Sequence, residues 1–373
     1  MTESELLAAA LAGDRRALAR LLSRVEAGGA GAEAILQALS PRASGAHIVG
    51  LTGAPGTGKS TLAGQLAREW RRRKQTVAIV AVDPTSPLTG GALLGDRIRM
   101  GGLAGDEGVF VRSMASRGAG GGLAEQTAAV ATVLAGAGFD IVLIETVGVG
   151  QDELAVAQEA QTTVVLAAPG LGDEIQALKA GILEVADILV VNKADREGAD
   201  RLVAELRFAV TRGGKAPAAG RQSQVGGLGV QGSGRSLPTS PVAPGLEGQS
   251  PAVMAETGDW RVPVLKTVAT TGEGVPELVD AIGRHRAWLC ESGAAGERRR
   301  ALAERAILRC AAAKAVRVAR ARAEALAVWP RLLDDVAAGR LSPQAAADVL
   351  LDLRPGLPQP RTGAGRSQPG DAG

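Results

Sequence analysis

Two kinds of apolar pattern alternate along the chain. Seven short runs are apolar at nearly every position, which is typical of parallel strands that helices cover on both faces. Helix-length stretches lie between these runs, for example over residues 59–73, 123–137 and 200–212. The predicted strands are His47–Thr52, Val77–Val82, Val109–Arg112, Ile141–Ile144, Thr163–Ala168, Ile188–Val191 and Pro263–Thr267. Strand alternating with helix predicts an α/β fold with a doubly wound, mostly parallel sheet flanked by helices.

Helical spacing of Leu and Ala also marks both ends of the chain. It predicts two short helices within residues 4–27, the second capped by Asp14. Towards the C-terminus it predicts helices that break at Pro330 and restart near Ser342. The expected organisation is an N-terminal helical segment over residues 1–44, an α/β domain over 45–292, a C-terminal helical arm over 293–353 and a tail over 354–373.

One segment of the α/β domain has a different composition. Residues 213–258 contain 11 Gly, 5 Pro and 5 Ser in 46 positions. Such a segment buries too little apolar surface to offset the entropy lost on ordering. The composition therefore predicts a disordered insertion at 213–258 and, for the same reason, a disordered tail at 354–373.

Composition and charge exclude several classes of partner. The net charge is +3, but residues 297–324 alone hold nine Lys or Arg against three Glu, so the rest of the chain is acidic. Tyr is absent and aromatic residues make up 2% of the chain, which argues against nucleic acid as a partner. No apolar run approaches the ~20 residues of a membrane helix, and the N-terminus lacks a signal pattern, so no membrane insertion is expected. With only two cysteines, Cys290 and Cys310, a reducing cytoplasm is expected.

A glycine-rich loop follows the first predicted strand and precedes a helix. Its sequence is Gly53-Ala54-Pro55-Gly56-Thr57-Gly58-Lys59-Ser60-Thr61. The pattern G-x-x-x-x-G-K-S in this context predicts a P-loop, in which backbone N–H groups and the helix N-terminus surround a β-phosphate. Lys59 is expected to bridge the β- and γ-phosphates, and the Ser60 hydroxyl to bind Mg²⁺.

The sixth predicted strand ends in a pattern that predicts the base. In Asn192-Lys193-Ala194-Asp195, the Asp195 carboxylate can accept hydrogen bonds from guanine N1–H and N2–H₂, donors that adenine lacks. Lys193 is expected to cover the base, and Asn192 to connect this loop to the phosphate loop. The last strand ends in Thr267-Val268-Ala269, with Val where GTPases often have Ser. The predicted ligands are therefore GTP and GDP.

Acidic residues follow two further predicted strands. Asp83 follows the second strand, Asp96 comes thirteen residues later, and Glu145 follows the fourth strand. Carboxylates at strand ends beside a phosphate loop suit Mg²⁺ or its water ligands. Ser60, Asp83, Asp96 and Glu145 are thus candidate metal residues, and Lys59, Asp83 and Glu145 are candidate catalytic residues. Alternatively, Asp83 caps a turn and Asp96 is an exposed loop acid.

The segment after Glu145 occupies the place of a D-x-x-G switch. Its Gly148 amide is expected to sense the γ-phosphate. Directly afterwards, small GTPases place a water-orienting Gln, where this chain has Val149. Slow unassisted hydrolysis, activated by a partner, is the expected consequence.

A third loop follows the fifth predicted strand and contains Gly170, Asp173 and Glu174, with Lys179 on the helix after it. Sensing of a partner is one interpretation. The other is a plain turn whose acids favour the helix dipole.

Four segments, in this order, resemble the methylmalonyl-CoA mutase-associated GTPases of the MeaB/ArgK type, also labelled LAO/AO transport system kinases. They are GAPGTGKST, VDPTSPLTGGALLGDRIRM, ETVGVGQDE and VNKAD, and the likeness covers about residues 1–212 and 259–330. The resemblance implies a homodimeric P-loop GTPase that associates with an adenosylcobalamin-dependent acyl-CoA mutase, gates cofactor loading and protects the mutase. It further implies a third switch at residues 170–179, with Lys179 signalling to the mutase, and a C-terminal dimerisation arm.

Three other readings of the sequence remain open. A nickel-delivery GTPase needs Cys or His ligands near the switches, whereas His47 precedes the phosphate loop and His285 and both cysteines lie beyond residue 284. A P-loop kinase or ATPase linked to a periplasmic arginine/ornithine-binding protein would use ATP, which Asp195 disfavours. A non-hydrolysing scaffold would use the nucleotide only to set its conformation.

Overall fold

Seven strands lie in a single sheet in the computed structural model, which describes residues 2–84, 103, 105–116, 122–146, 159–170, 185–212, 260–325 and 328–351. They are β1 (His47–Gly53), β2 (Val77–Pro84), β3 (Val109–Ser116), β4 (Ile141–Thr146), β5 (Thr162–Ala167), β6 (Ile188–Asn192) and β7 (Val264–Thr267). Their order across the sheet is β3-β2-β4-β1-β5-β6-β7, and neighbouring strands are parallel. The predicted α/β fold is confirmed.

Helices flank this sheet and form both ends of the described chain. Before β1 come α1 (Glu3–Leu11), α2 (Arg15–Ala27), α3 (Ala30–Leu39) and a 3-10 turn at Ser40–Gly45. Between the strands lie α4 (Lys59–Arg72), α5 (Gly122–Gly136) and α6 (Ala199–Arg212). After β7 come α7 (Val275–Glu291), α8 (Ala294–Ala325), α9 (Trp329–Ala337) and α10 (Pro343–Leu351).

The strands are apolar throughout because both faces of the sheet are covered. Along β4, Val142 and Ile144 point into a core shared with α1, α2, α3 and α5. The alternate residues, Ile141 and Leu143, point into a second core shared with α4 and α7. A third cluster lies under α6, against β5 and β6.

The N-terminal segment has one helix more than the spacing predicts. Asp14 caps α2 as expected, since its carboxylate accepts hydrogen bonds from the amides of Arg16 (2.8 Å) and Ala17 (3.1 Å). These two bonds lower the pKa of Asp14. The unpredicted helix, α3, follows the glycine pair Gly28-Gly29 and places Ile35 in the core.

The C-terminal helices match the predicted breaks. Helix α9 begins at Trp329 with Pro330 in its first turn, and α10 begins at Pro343. Proline is favourable there because the first-turn N–H groups have no intrahelical acceptor. No helix in the described segments is long and apolar enough to span a membrane. The predicted insertion at 213–258 and the tail at 354–373 lie outside the described residues.

Two buried carboxylates hold α8 against the sheet at the amino ends of the strands. Asp187, just before β6, accepts from Arg298 at 2.7 and 3.1 Å. Glu159, just before β5, accepts from Arg309 at 2.6 Å. Burial raises the pKa of Glu159.

The same end of the sheet buries both histidines of the chain. Thr162 Oγ1 lies 2.8 Å from His47 Nε2 and 2.8 Å from His285 Nδ1, so residues far apart in sequence meet in the interior. Burial lowers the pKa of His47 to about 3. Both rings therefore belong to a structural polar network, and the described residues contain no group of three or more His, Cys, Asp or Glu that could hold a metal ion.

Candidate nucleotide site

The sheet's carboxyl edge brings together the strand ends that precede the predicted loops. All seven strands run in one direction, so the carboxyl ends of β1, β2, β4, β5, β6 and β7 lie at one edge. Strand β1 lies between β4 and β5. The chain passes from β1 to β2 on one side of β1, and later from β4 across β1 to β5 on its other side. Such a switch point opens a crevice at which α/β proteins bind ligands.

The phosphate loop needs glycine at two positions for steric reasons. Gly53 has φ +145°, and a Cβ there would overlap the carbonyl oxygen of Leu166 on β5. Gly58 has φ +93°, and its Cβ would come within 2.5 Å of Asn192 Nδ2. L-residues rarely adopt these dihedrals, so both glycines let the loop turn tightly against β5 and β6.

The start of α4 favours an anion. Gly58 is the N-cap and offers no side-chain acceptor to the first-turn amides, which leaves them available to a ligand. Lys59, also in that turn, is buried and donates from Nζ to the carbonyl oxygens of Gly53 and Ala54, the second at 3.0 Å. Because an ammonium at a helix N-terminus opposes the dipole, a bound phosphate would stabilise this arrangement.

A hydroxyl and a carboxylate meet beside the phosphate loop. Ser60 Oγ donates to Glu145 Oε1 at 2.5 Å, and the Glu145 side chain is fully buried. Parallel pairing of β1 with β4 places Glu145 opposite Leu51, two residues before Gly53. Both atoms are hard oxygen donors, the kind that Mg²⁺ prefers.

Asn192 joins the phosphate loop to the last strand. Its Nδ2 donates to the carbonyl oxygen of Thr57 at 2.7 Å, which is the connection that the sequence predicts. Its Oδ1 accepts from Thr267 Oγ1 at 3.1 Å and from the Ala269 amide at 3.0 Å. One buried side chain thus fixes three segments relative to one another.

Lys193 and Asp195, predicted to contact the base, lie in the turn directly after Asn192. Lys193 has φ +58° and donates from Nζ to the Gly56 carbonyl oxygen at 2.6 Å, so its stem lies across the phosphate loop. Asp195 is exposed in the same turn, where its carboxylate is accessible to a ligand. The Ala194 amide donates to the Thr267 carbonyl oxygen at 3.1 Å and holds this turn to the end of β7.

Val268 lies at the position where GTPases often have Ser, and backbone hydrogen bonds fix its conformation. Its amide donates to the Glu273 carbonyl oxygen at 3.0 Å, and its own carbonyl accepts from Thr271 and Gly272. The side chain is buried. The shape of this loop therefore requires no serine hydroxyl at position 268.

Several predicted site residues lie outside the described part of the chain. These are Asp96, Gly148, Asp173, Glu174 and Lys179. For Asp83 the structure describes the backbone, at the end of β2 and paired with Ala115. Gly170 is described, in the turn after β5, with φ +89°.

Sequence reasoning missed one residue that contacts the site. Gln65 on α4 donates from Nε2 to the Ala269 carbonyl oxygen at 3.0 Å. No motif contains Gln65, and a glutamine on a helix gives no signal of its own. Only the fold brings α4 beside the loop after β7.

A family model described as the methylmalonyl-CoA mutase-associated GTPase MeaB matches residues 18–324. The chain belongs to this family. Membership agrees with the resemblance inferred from the motifs, and it agrees with the P-loop, the N-K-x-D turn and the parallel sheet. This MeaB-family protein is accordingly a GTPase that binds guanine nucleotides.

Relatives along most of the chain have related names. A protein of Pyrococcus horikoshii named as a GTPase is 41% identical over 348 residues, covering 93% of this chain and 97% of its own length. The mouse mitochondrial homologue of methylmalonic aciduria type A is 30% identical over 303 residues, covering 81% of this chain and 64% of the mouse protein.

A solved structure described as an LAO/AO transport system kinase superposes with a TM-score of 0.61. It covers 94% of this chain and 97% of its own, at 23% sequence identity. This likeness supports the fold.

Proposed function

We propose that this MeaB-family GTPase is a chaperone of an adenosylcobalamin-dependent acyl-CoA mutase, with methylmalonyl-CoA mutase as the client. It would gate cofactor loading and protect the mutase, working in the cytoplasm. The observation that carries the client assignment is the family match over residues 18–324, since the family is described by its association with that mutase. The mouse relative's name points to the same metabolism.

We assign the nucleotide site as follows. The amides of residues 53–61 and Lys59 hold the phosphates, and Asp195 recognises guanine, with Asn192, Lys193 and residues 267–269 framing the base. The contacts of Asn192 support this arrangement, because they join the phosphate loop to the loop predicted to frame the base.

Mg²⁺ fits beside this site. The Ser60 hydroxyl and the Glu145 carboxylate, 2.5 Å apart, would hold it, with Asp83 and Asp96 as further candidates. When bound, Mg²⁺ neutralises charge on the β- and γ-phosphates. The chain's own part is to fix both oxygens on two rigid elements, α4 and β4. Lys59 contributes a second positive charge from the same helix turn.

The C-terminal arm is proposed to pair with a second copy of the chain. Large apolar side chains remain exposed along α8 and α9, where a monomer leaves them in water. They are Ile307, Leu308, Val316, Val318, Trp329 and Leu333. Light scattering should report a dimer that Leu308→Glu converts to monomer. Phe208→Glu, at an exposed apolar residue of α6, should leave the dimer intact.

Association with the client is tested by gel filtration of the purified protein with methylmalonyl-CoA mutase, with and without guanine nucleotide. The proposal predicts co-elution whose extent changes between GDP and a non-hydrolysable GTP analogue. Separate elution under every condition would refute methylmalonyl-CoA mutase as the client.

A further inference from the structure

The loop after β7, residues 268–273, has a shape fixed by its own backbone. The Val268 amide and the Glu273 carbonyl close it at 3.0 Å, and the Gly272 amide bonds back to Val268 at 2.9 Å. These internal bonds set the conformation of the loop. Its position relative to the phosphates must come from contacts with the rest of the protein.

Ala269 receives two such contacts, one on each side of the residue. Its amide donates to Asn192 Oδ1 at 3.0 Å, which holds the loop to β6. Its carbonyl accepts from Gln65 Nε2 at 3.0 Å, which holds the loop to α4. Ala269 itself is buried; the bond to Asn192 is buried and the bond from Gln65 is half-buried.

Gln65 therefore closes a ring of contacts around the nucleotide site. Helix α4 begins with Lys59 and Ser60, and Gln65 lies on the same helix five residues after Ser60. From Gln65 the ring passes through Ala269 and Asn192 to the Thr57 carbonyl in the phosphate loop. A bound nucleotide places its base and its phosphates in two separate subsites, so a ring that fixes these subsites relative to each other lowers the cost of ordering the protein on binding.

We propose that Gln65 is a positioning residue for the base of the bound guanine nucleotide, acting through the Ala269 carbonyl. This inference rests on the proposed placement of the base against residues 267–269. Gln65 touches no reacting atom in this scheme. Its effect is on the affinity for ligands that contain a base, and a ligand made of phosphates alone does not depend on it.

Two substitutions test the contact without changing the size of the side chain. Gln65→Met removes the donor, and Gln65→Glu places a carboxylate against the Ala269 carbonyl. Each should weaken GDP binding by roughly 3- to 10-fold, the value of one hydrogen bond, as measured by calorimetry. Affinity for inorganic tripolyphosphate should stay within about twofold of the unmodified protein. Arg68→Met, at an exposed residue of the same helix, should leave both affinities unchanged.

The other outcomes separate this inference from the proposed site. Unchanged GDP affinity in both Gln65 variants would overturn the inference, and so would an equal loss for GDP and tripolyphosphate, because that indicates a general effect on α4. Asp195→Asn, measured in parallel, tests the base site itself. If Asp195→Asn lowers GDP affinity while the Gln65 variants do not, the site stands and only the role of Gln65 is wrong. If Asp195→Asn has no effect, the base placement fails.

Discussion

Ser60 on α4 donates a hydrogen bond from Oγ to Oε1 of Glu145 at the end of β4, at 2.5 Å. The two residues belong to separate motifs, the P-loop and the segment in the place of a D-x-x-G switch. Their contact joins a hydroxyl and a buried carboxylate beside the proposed phosphate site, and it ties α4 to the strand that precedes the proposed switch.

Glu145→Gln should impair the use of Mg²⁺. The amide keeps the shape of the side chain and a hydrogen bond to Ser60, but it loses the negative charge that attracts the cation. We expect the Mg²⁺ concentration for half-maximal GTP hydrolysis to rise by about 10- to 100-fold. Magnesium titrations of steady-state turnover measure this, with Glu277→Gln on the exposed start of α7 as the matched control. An unchanged Mg²⁺ requirement in Glu145→Gln would argue against this metal site.

Asp195→Asn should change the choice of base. A carboxamide cannot accept hydrogen bonds from both guanine N1–H and N2–H₂ as a carboxylate does, so GTP affinity should fall roughly 10- to 100-fold. Xanthine carries an oxygen at position 2, to which the new amide can donate, so xanthosine triphosphate should bind better than to the unmodified protein. Competition binding measures both shifts. Glu197→Gln, in the same turn, should behave like the unmodified protein, and intact guanine selectivity in Asp195→Asn would disprove the assignment.

The strands and loops of the site could be predicted because each carries a local signal. The apolar runs are covered on both faces, and the P-loop and N-K-x-D patterns end their strands, so parallel topology alone brings them to one edge. The cross-connections could not be predicted in the same way. Gln65 meets Ala269, and His47 meets His285 through Thr162, only because distant elements pack together. Helix α3 was not predicted although its buried residues Ala32, Ile35 and Leu39 recur at helical spacing. The glycine pair before it supplies no side-chain cap that would mark its start.

Arg298→Met should destabilise the folded protein. It would leave the buried carboxylate of Asp187 without the guanidinium that donates to it at 2.7 and 3.1 Å. Breaking such a pair from one side is expected to lower the free energy of unfolding by about 2–3 kcal/mol, less than a fully buried pair because Arg298 is partly exposed. Urea denaturation checks this against Arg299→Met, whose arginine is exposed. Equal stabilities of the two variants would show that the ion pair does not fasten the arm.

Stability should fall on mild acidification because His47 is buried in its neutral form. Its pKa is about 3 in the folded protein and 6.5 in the unfolded chain, so below pH 6.5 the unfolded state takes up a proton that the folded state does not. The stability that neutral His47 contributes is therefore fully present above pH 6.5 and is lost as the pH falls towards 3. Between pH 8 and pH 5 this group should contribute a loss of about 2 kcal/mol.

The variant His47→Gln isolates that contribution. Urea denaturation of both proteins at pH 8 and pH 5 should show a smaller loss of unfolding free energy in the variant. The difference between the two losses should equal the contribution of His47. The same loss in both proteins would show that His47 does not drive the pH dependence.

The most direct measurement is steady-state hydrolysis of GTP and of ATP by the full chain, with and without purified methylmalonyl-CoA mutase. Lys59→Ala serves as the blank for contaminating activity, since it removes the ammonium from the phosphate loop. We predict slow turnover that is selective for GTP and rises when the mutase is added. A preference for ATP, or GTP turnover that the mutase leaves unchanged, would contradict a GTPase chaperone of this mutase.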